Sequence, residues 1–87
     1  MTSILAVDDS PSMRQMVTYT LEHAGYDVFI AKDGQEALNI AENNNVNLVL
    51  TDVNMPIMDG ITLVKKLRQL HDYRFKPILI LTTESSS

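Results

Sequence analysis

No cysteine occurs in the 87 residues, which excludes disulfides and thiolate metal sites and suits a reducing compartment. No apolar run approaches the ~20 residues of a membrane span, so no membrane contact is expected. The opening MTSILAV has no positively charged segment and meets Asp8 after four apolar residues, unlike a secretory signal. A cytoplasmic location is the expectation. Basic residues are scarce too: the net charge is -4, and Lys65, Lys66 and Arg68 make only a small basic spot. Phosphate backbones demand a basic face, so nucleic acid is not an expected partner. What is present is one domain's worth of chain, with 45% apolar residues to build a small core.

Two hydrophobic periods alternate along it. ILAV (Ile4 to Val7) is short and continuously apolar, like a strand buried on both faces. Ser10 then offers an N-cap and Pro11 a first helical residue. Met13, Met16, Val17, Thr20, Leu21 and Ala24 follow at helical spacing as an inner face, with Met13 and Met16 expected in the core. Gly25 stops that helix. DVFIA (Asp27 to Ala31) predicts a second strand, and Asp33 caps a helix carrying Ala37, Leu38 and Ala41. NLVLTD predicts the third strand; Pro56 breaks the chain after it, and Asp59 caps a helix with Leu63, Val64, Leu67 and Leu70. PILIL (Pro77 to Leu81) predicts the fourth strand. The order β-α-β-α-β-α-β implies an α/β fold with a parallel sheet and helices on its faces.

In a parallel sheet the C-terminal ends of all strands share one edge, where ligands bind. Asp8, Asp9, Asp52, Thr82 and Thr83 all follow strand ends, so they are expected along one rim. Carboxylates gathered there repel one another, and a divalent cation removes the repulsion. With hard oxygen donors and no histidine at a strand end, Mg2+ fits and zinc does not. A carboxylate beside Mg2+ can attack phosphorus to give an acyl phosphate. Asp52, a lone carboxylate ending a central strand, is the better nucleophile; the adjacent Asp8 and Asp9 suit metal binding, and Thr82 can donate to a phosphoryl oxygen. Plainer roles stay open on the residues alone. Asp8 and Asp9 can merely favour a helix start, Asp52 can cap a turn, and Thr82 can simply end a strand. Asp59 reads as a cap, His23 and His71 as surface residues, and Tyr19, Tyr26 and Tyr73 take no role.

DDSPSMR, LVLTDVNMPIMDG and PILILTTE, in this order and spacing, resemble a response-regulator receiver domain of the single-domain chemotaxis (CheY-like) type. The resemblance covers the whole chain. It implies a flavodoxin-like doubly wound sheet, phosphorylation of Asp52 by a histidine kinase, and a flagellar motor or other output partner. It also implies Mg2+ held by Asp9, Asp52 and the Asn54 carbonyl with Asp8 assisting through water, Thr82 as switch hydroxyl, and Asn54 and Glu84 tuning phosphate loss. Such a protein is a signalling module and not an enzyme.

Receivers of this kind have a fifth strand ending in a lysine and two further helices, and none of Lys32, Lys65, Lys66 and Lys76 follows a later strand. The expectation is therefore a partial receiver over residues 1–87, four strands and three helices, with impaired switching and weak or no stable phosphorylation. Two other functions compete. A phosphohydrolase forming an aspartyl phosphate would carry a second Asp two residues after the nucleophile as acid/base, where Asn54 stands after Asp52 and Ser10 after Asp8, and Asn cannot transfer protons. A structural fragment would fold by self-association: with strand order 2-1-3-4-5, the fourth strand becomes an edge, apolar on both faces, and a homodimer burying Ile78 to Leu81 is expected.

Overall fold

Each predicted strand becomes one strand of a single sheet. The computed structural model describes residues 1–81. In chain order it contains β1 (Ser3–Val7), α1 (Pro11–His23), β2 (Asp27–Ala31), α2 (Gly34–Asn43), β3 (Leu48–Asp52), α3 (Gly60–Gln69) and β4 (Ile78–Leu81). A 3-10 turn over His71–Tyr73, not foreseen in the sequence, precedes β4. Thr82, Thr83 and Glu84 lie outside the described residues.

All strand pairs are parallel and the order is β2-β1-β3-β4, the flavodoxin-like arrangement. β1 has a neighbour on each side and layers on both faces, so Ile4, Leu5, Ala6 and Val7 are all buried. Alternation along the strands then sorts the layers. Leu5, Val7 and Val49 face a core built with Ala37 and Ala41 of α2, Leu63 and Leu67 of α3, Met58 and Tyr73. Ala6 and Leu50 face α1, which lies over β1 and β2.

The caps are those the sequence offers. Ser10 Oγ accepts the Met13 N–H at 3.3 Å with Pro11 beside it, Asp33 Oδ1 accepts the Glu36 N–H at 2.8 Å, and Asp59 Oδ1 accepts the Thr62 N–H at 2.8 Å. The Thr62 N–H holds the Asp59 carboxyl below its ordinary value of 3.8, because the bond favours the ionised form. At the end of α1 the Tyr26 N–H reaches the Leu21 carbonyl and the Gly25 N–H that of Glu22, which places Gly25 at φ 96°. That is a Schellman stop, and its left-handed backbone favours glycine.

The inner face expected of α1 is only partly realised. Met13, Val17 and Leu21 are half-buried, but Met16 is 54% exposed and no residue of α1 is fully buried. The helix covers β1 and β2, so among the described residues the strip formed by Leu50, Leu79 and Leu81 on the same sheet face is left open beside it. β4 has no neighbour on its outer side among the described residues, and Leu79, Ile80 and Leu81 are 52%, 36% and 47% exposed.

The N-terminal end of the sheet is closed by a polar clasp. Tyr73 is buried, and its hydroxyl accepts the Val46 N–H at 3.1 Å while donating to the Asn44 carbonyl. Burial pushes the phenol pKa up, since the phenolate would lose its water. Lys76 donates to the Val46 carbonyl at 2.7 Å and stands 5.5 Å above the Tyr73 ring. Arg68 Nη1 meets the carbonyls of Tyr73, Arg74 and Lys76 at 3.0, 3.2 and 2.6 Å. These bonds satisfy backbone groups of two turns that enter β3 and β4. Tyr73→Phe keeps the packing but strands the Val46 N–H and the Asn44 carbonyl, and is expected to destabilise the fold by about 1–3 kcal/mol. Urea unfolding measures it; a midpoint equal to wild type would show that the clasp contributes nothing.

Candidate functional site

The register of the sheet aligns the functional strand ends. Val7 stands opposite both Ala31 and Thr51, so the residues that follow, Asp8 just past β1 and Asp52 at the end of β3, stand at one level. Apolar burial requires Ile4 to Val7 to stay inside, and the carboxylates that follow emerge at the rim. Asp8 and Asp52 are half-buried and Asp9 is exposed. Carboxylate oxygens of Asp8, Asp9 and Asp52 lie within 4.8 Å of one another.

Local backbone donors orient two of the three. The Ser10 N–H donates to Asp8 Oδ1 at 2.9 Å, and the Val53 N–H donates to Asp52 Oδ1 at 2.7 Å. One oxygen of each carboxylate is thereby engaged and the other is left for the cluster. The Thr51 hydroxyl, fully buried, donates to the Asp52 carbonyl at 2.9 Å. α3 begins directly against this strand end: a side chain at Gly60 would collide with the Asp52 carbonyl oxygen, and the Gly60 N–H bonds to the Val53 carbonyl at 2.8 Å. Glycine is required there by close approach.

The loop carrying Asn54 is held at both ends. Asn54 itself is exposed, two residues beyond Asp52. Met58 is buried in the core, and its N–H reaches back to the Pro56 carbonyl at 2.7 Å. That i to i+2 bond places Ile57 at φ 71°, a conformation in which a β-branched residue stores on the order of 1–3 kcal/mol. Ile57 is also 79% exposed. Neither Met58 as a core anchor nor Ile57 as a strained turn was foreseen; Pro56 signalled a break but not its geometry. Asp59 is a cap and stands outside the carboxylate cluster. His23 and His71 are exposed, as expected of surface residues.

The donor set is all oxygen, without histidine or thiolate, and it fits a hard divalent cation of the Mg2+ type. Two unit charges ~4 Å apart repel by about 1 kcal/mol in water and about 4 kcal/mol near a protein surface. Among the described residues no cation stands at ion-pair distance from any of the three carboxylates. The arrangement can therefore bind a cation, and Asp52 can present a free oxygen to an electrophile beside it.

Residues 4–87 match the family model for the response regulator receiver domain. A chemotaxis protein CheY homologue of Campylobacter jejuni is 43% identical over 83 residues, covering 93% of this chain and 64% of that protein. The solved chemotaxis response regulator CheY4 of Vibrio cholerae is 52% identical with a TM-score of 0.94, over 99% of this chain and 72% of that one. The response regulator TrrA of Thermotoga maritima, solved in complex with Mg2+ and BeF, is 33% identical with a TM-score of 0.89, over 98% of this chain and 72% of that one. The chain thus spans less than two thirds of the length of the Campylobacter relative.

Like-charge strain and cation binding share one cause at this rim. Asp9→Asn is expected to stabilise the metal-free protein by about 1 kcal/mol and to weaken Mg2+ binding at the same time. Chemical denaturation with and without Mg2+ reads both. A destabilised metal-free variant, or unchanged Mg2+ affinity, would show that the carboxylates do not act as one site.

Proposed function

Because the chain belongs to the response regulator receiver domain family of two-component signalling, we propose that Asp52 is its phospho-acceptor and that Asp8, Asp9, Asp52 and the Asn54 carbonyl hold Mg2+. The observation that carries this is the convergence of the Asp8, Asp9 and Asp52 carboxylates at the ends of β1 and β3. The TrrA complex with Mg2+ and BeF supports the cation for a chain of this family. The donor is the phosphohistidine of a histidine kinase. The Asp52 oxygen not bound by Val53 attacks phosphorus, an O–P bond forms, and the P–N bond breaks with its electron pair returning to the imidazole. Asp52 Oδ1 stays on the Val53 N–H, which keeps the attacking oxygen pointed at the rim. Bound Mg2+ would offset the charge of the carboxylates and of the phosphoryl oxygens. Thr82 is the switch hydroxyl in this proposal. The chain acts as the accepting partner in the transfer and not as an enzyme, in the cytoplasm, with a flagellar motor or other output protein downstream.

Incubation with acetyl phosphate and Mg2+, followed by intact mass, is expected to show a substoichiometric gain of one phosphate. EDTA or Asp52→Asn abolishes it. Phosphate mapped to Asp8 or Asp9, or retained in Asp52→Asn, would overturn the assignment.

We also propose that this chain self-associates through β4, on the observation that Leu79, Ile80 and Leu81 are exposed along an uncharged strand whose outer edge has no partner among the described residues. At roughly 25 cal/mol per Å² of apolar surface, covering several hundred Å² is worth several kcal/mol before association costs. Light scattering after size exclusion is expected to give the mass of a dimer. A cooperative monomer at tens of micromolar would refute it.

A further inference from the structure

Asp8 is held at three points, and the third belongs to neither the sheet nor the turn. Its N–H donates to the Ala31 carbonyl at 3.1 Å, and its Oδ1 accepts the Ser10 N–H at 2.9 Å. Its carbonyl accepts a hydrogen bond from Arg14 Nη1 at 2.7 Å. Arg14 is half-buried and sits at the first closed turn of α1, its own N–H bonding the Ser10 carbonyl at 3.0 Å. Helical side chains lean toward the helix N-terminus, which brings this guanidinium back over the loop between β1 and α1.

Two features set this contact apart from an ordinary surface bond. Among the described residues no carboxylate stands at ion-pair distance from Arg14, although three cluster at the same rim. The guanidinium is directed instead at one backbone oxygen, in a cleft floored by Ala6, Val7, Val17, Leu50 and Leu81. A hydrogen bond from a charged donor is stronger than one between neutral groups.

The carbonyl in question belongs to the peptide that joins Asp8 to Asp9. A peptide unit is planar, so fixing its oxygen fixes the plane from which both residues depart. Asp8 has other anchors. Asp9 is exposed and makes no hydrogen bond of its own among the described residues, so the orientation of its carboxylate depends on that plane.

We propose that Arg14 is a positioning residue for the acidic site: through the Asp8 carbonyl it holds the Asp8–Asp9 peptide and so aims both carboxylates toward Asp52. The proposal rests on the site binding Mg2+. Mg2+ demands near-octahedral geometry and tolerates ligand displacement poorly, whereas Ca2+ accepts flexible coordination. Arg14 therefore raises the preference of the site for Mg2+ over Ca2+.

Calorimetric titration of the chain with Mg2+ and with Ca2+ tests this, for wild type and for Arg14→Met, with folding verified by circular dichroism. Positioning and charge predict opposite signs. Deleting a positive charge beside a cation site tightens binding, whereas releasing the peptide weakens it. Arg14→Met is expected to lose about tenfold in Mg2+ affinity, the scale of an outer-sphere partner, and to lose less for Ca2+. Arg14→Lys, which keeps a cationic donor, retains most of the affinity. Arg14→Gln, neutral and shorter, serves if the methionine variant does not fold, and is expected to behave as Arg14→Met. Unchanged or tighter Mg2+ binding in a folded neutral variant overturns the role of Arg14 while leaving the acidic site intact. Wild-type protein that binds no Mg2+ overturns the site itself, and the positioning role with it.

Discussion

The parallel pairing of β1 between β2 and β3 is the constraint on which the rest depends. β1 is buried on both faces and bonded along both edges, so its polar successors can leave only at its ends. Parallel register sends the exits of β1 and β3 to the same rim, with Val7 opposite Thr51. Three carboxylates then share a space that none of them would choose singly. Apolar burial of Leu5, Val7 and Val49 supplies the free energy that holds this repulsion in place.

The two ends of the sheet divide the work. At the N-terminal end, Tyr73, Lys76 and Arg68 satisfy the carbonyls of Asn44, Val46, Tyr73, Arg74 and Lys76 and the amide of Val46. Polar groups there find partners within the chain, and the outcome is stability. At the C-terminal rim, one oxygen of Asp8 and one of Asp52 are tied to backbone N–H groups, and the negative charge is not neutralised by any described cation at ion-pair distance. Uncompensated carboxylate charge at a well-held rim is what a site for an external hard cation requires. The strained Ile57 turn belongs to the same end, since burial of Met58 and the close seat of Gly60 on Asp52 leave the loop few other paths.

The proposed self-association and the proposed phosphoryl transfer place different demands on the same sheet. The first uses the outer edge and open face of β4, with Leu79 and Leu81 beside Leu50. The second uses the rim between β1 and β3. The two regions meet at Leu81, which is paired with Asp52 and shares a cleft with Asp8 and Arg14. Cover brought over β4 would therefore lie close to the acidic site, and a change at one is within reach of the other.

By itself the sequence determined the order of elements, the three N-caps at Ser10, Asp33 and Asp59, the Gly25 stop, and the rim on which the aspartates fall. These are local: a cap acts over three residues, a period repeats within one helix, and a strand end is visible where apolar residues give way to Asp. Only the tertiary structure decided that Met16 is exposed, because periodicity marks an apolar face without saying what covers it. Only it decided that Tyr73 closes the far end of the sheet, since the residues it bonds lie 27 and 29 positions away in sequence and no spacing rule connects them. The same holds for Arg14, whose partner is a backbone carbonyl. Every residue carries such a group, so its choice of Asp8 is a matter of where the helix start lies against the sheet.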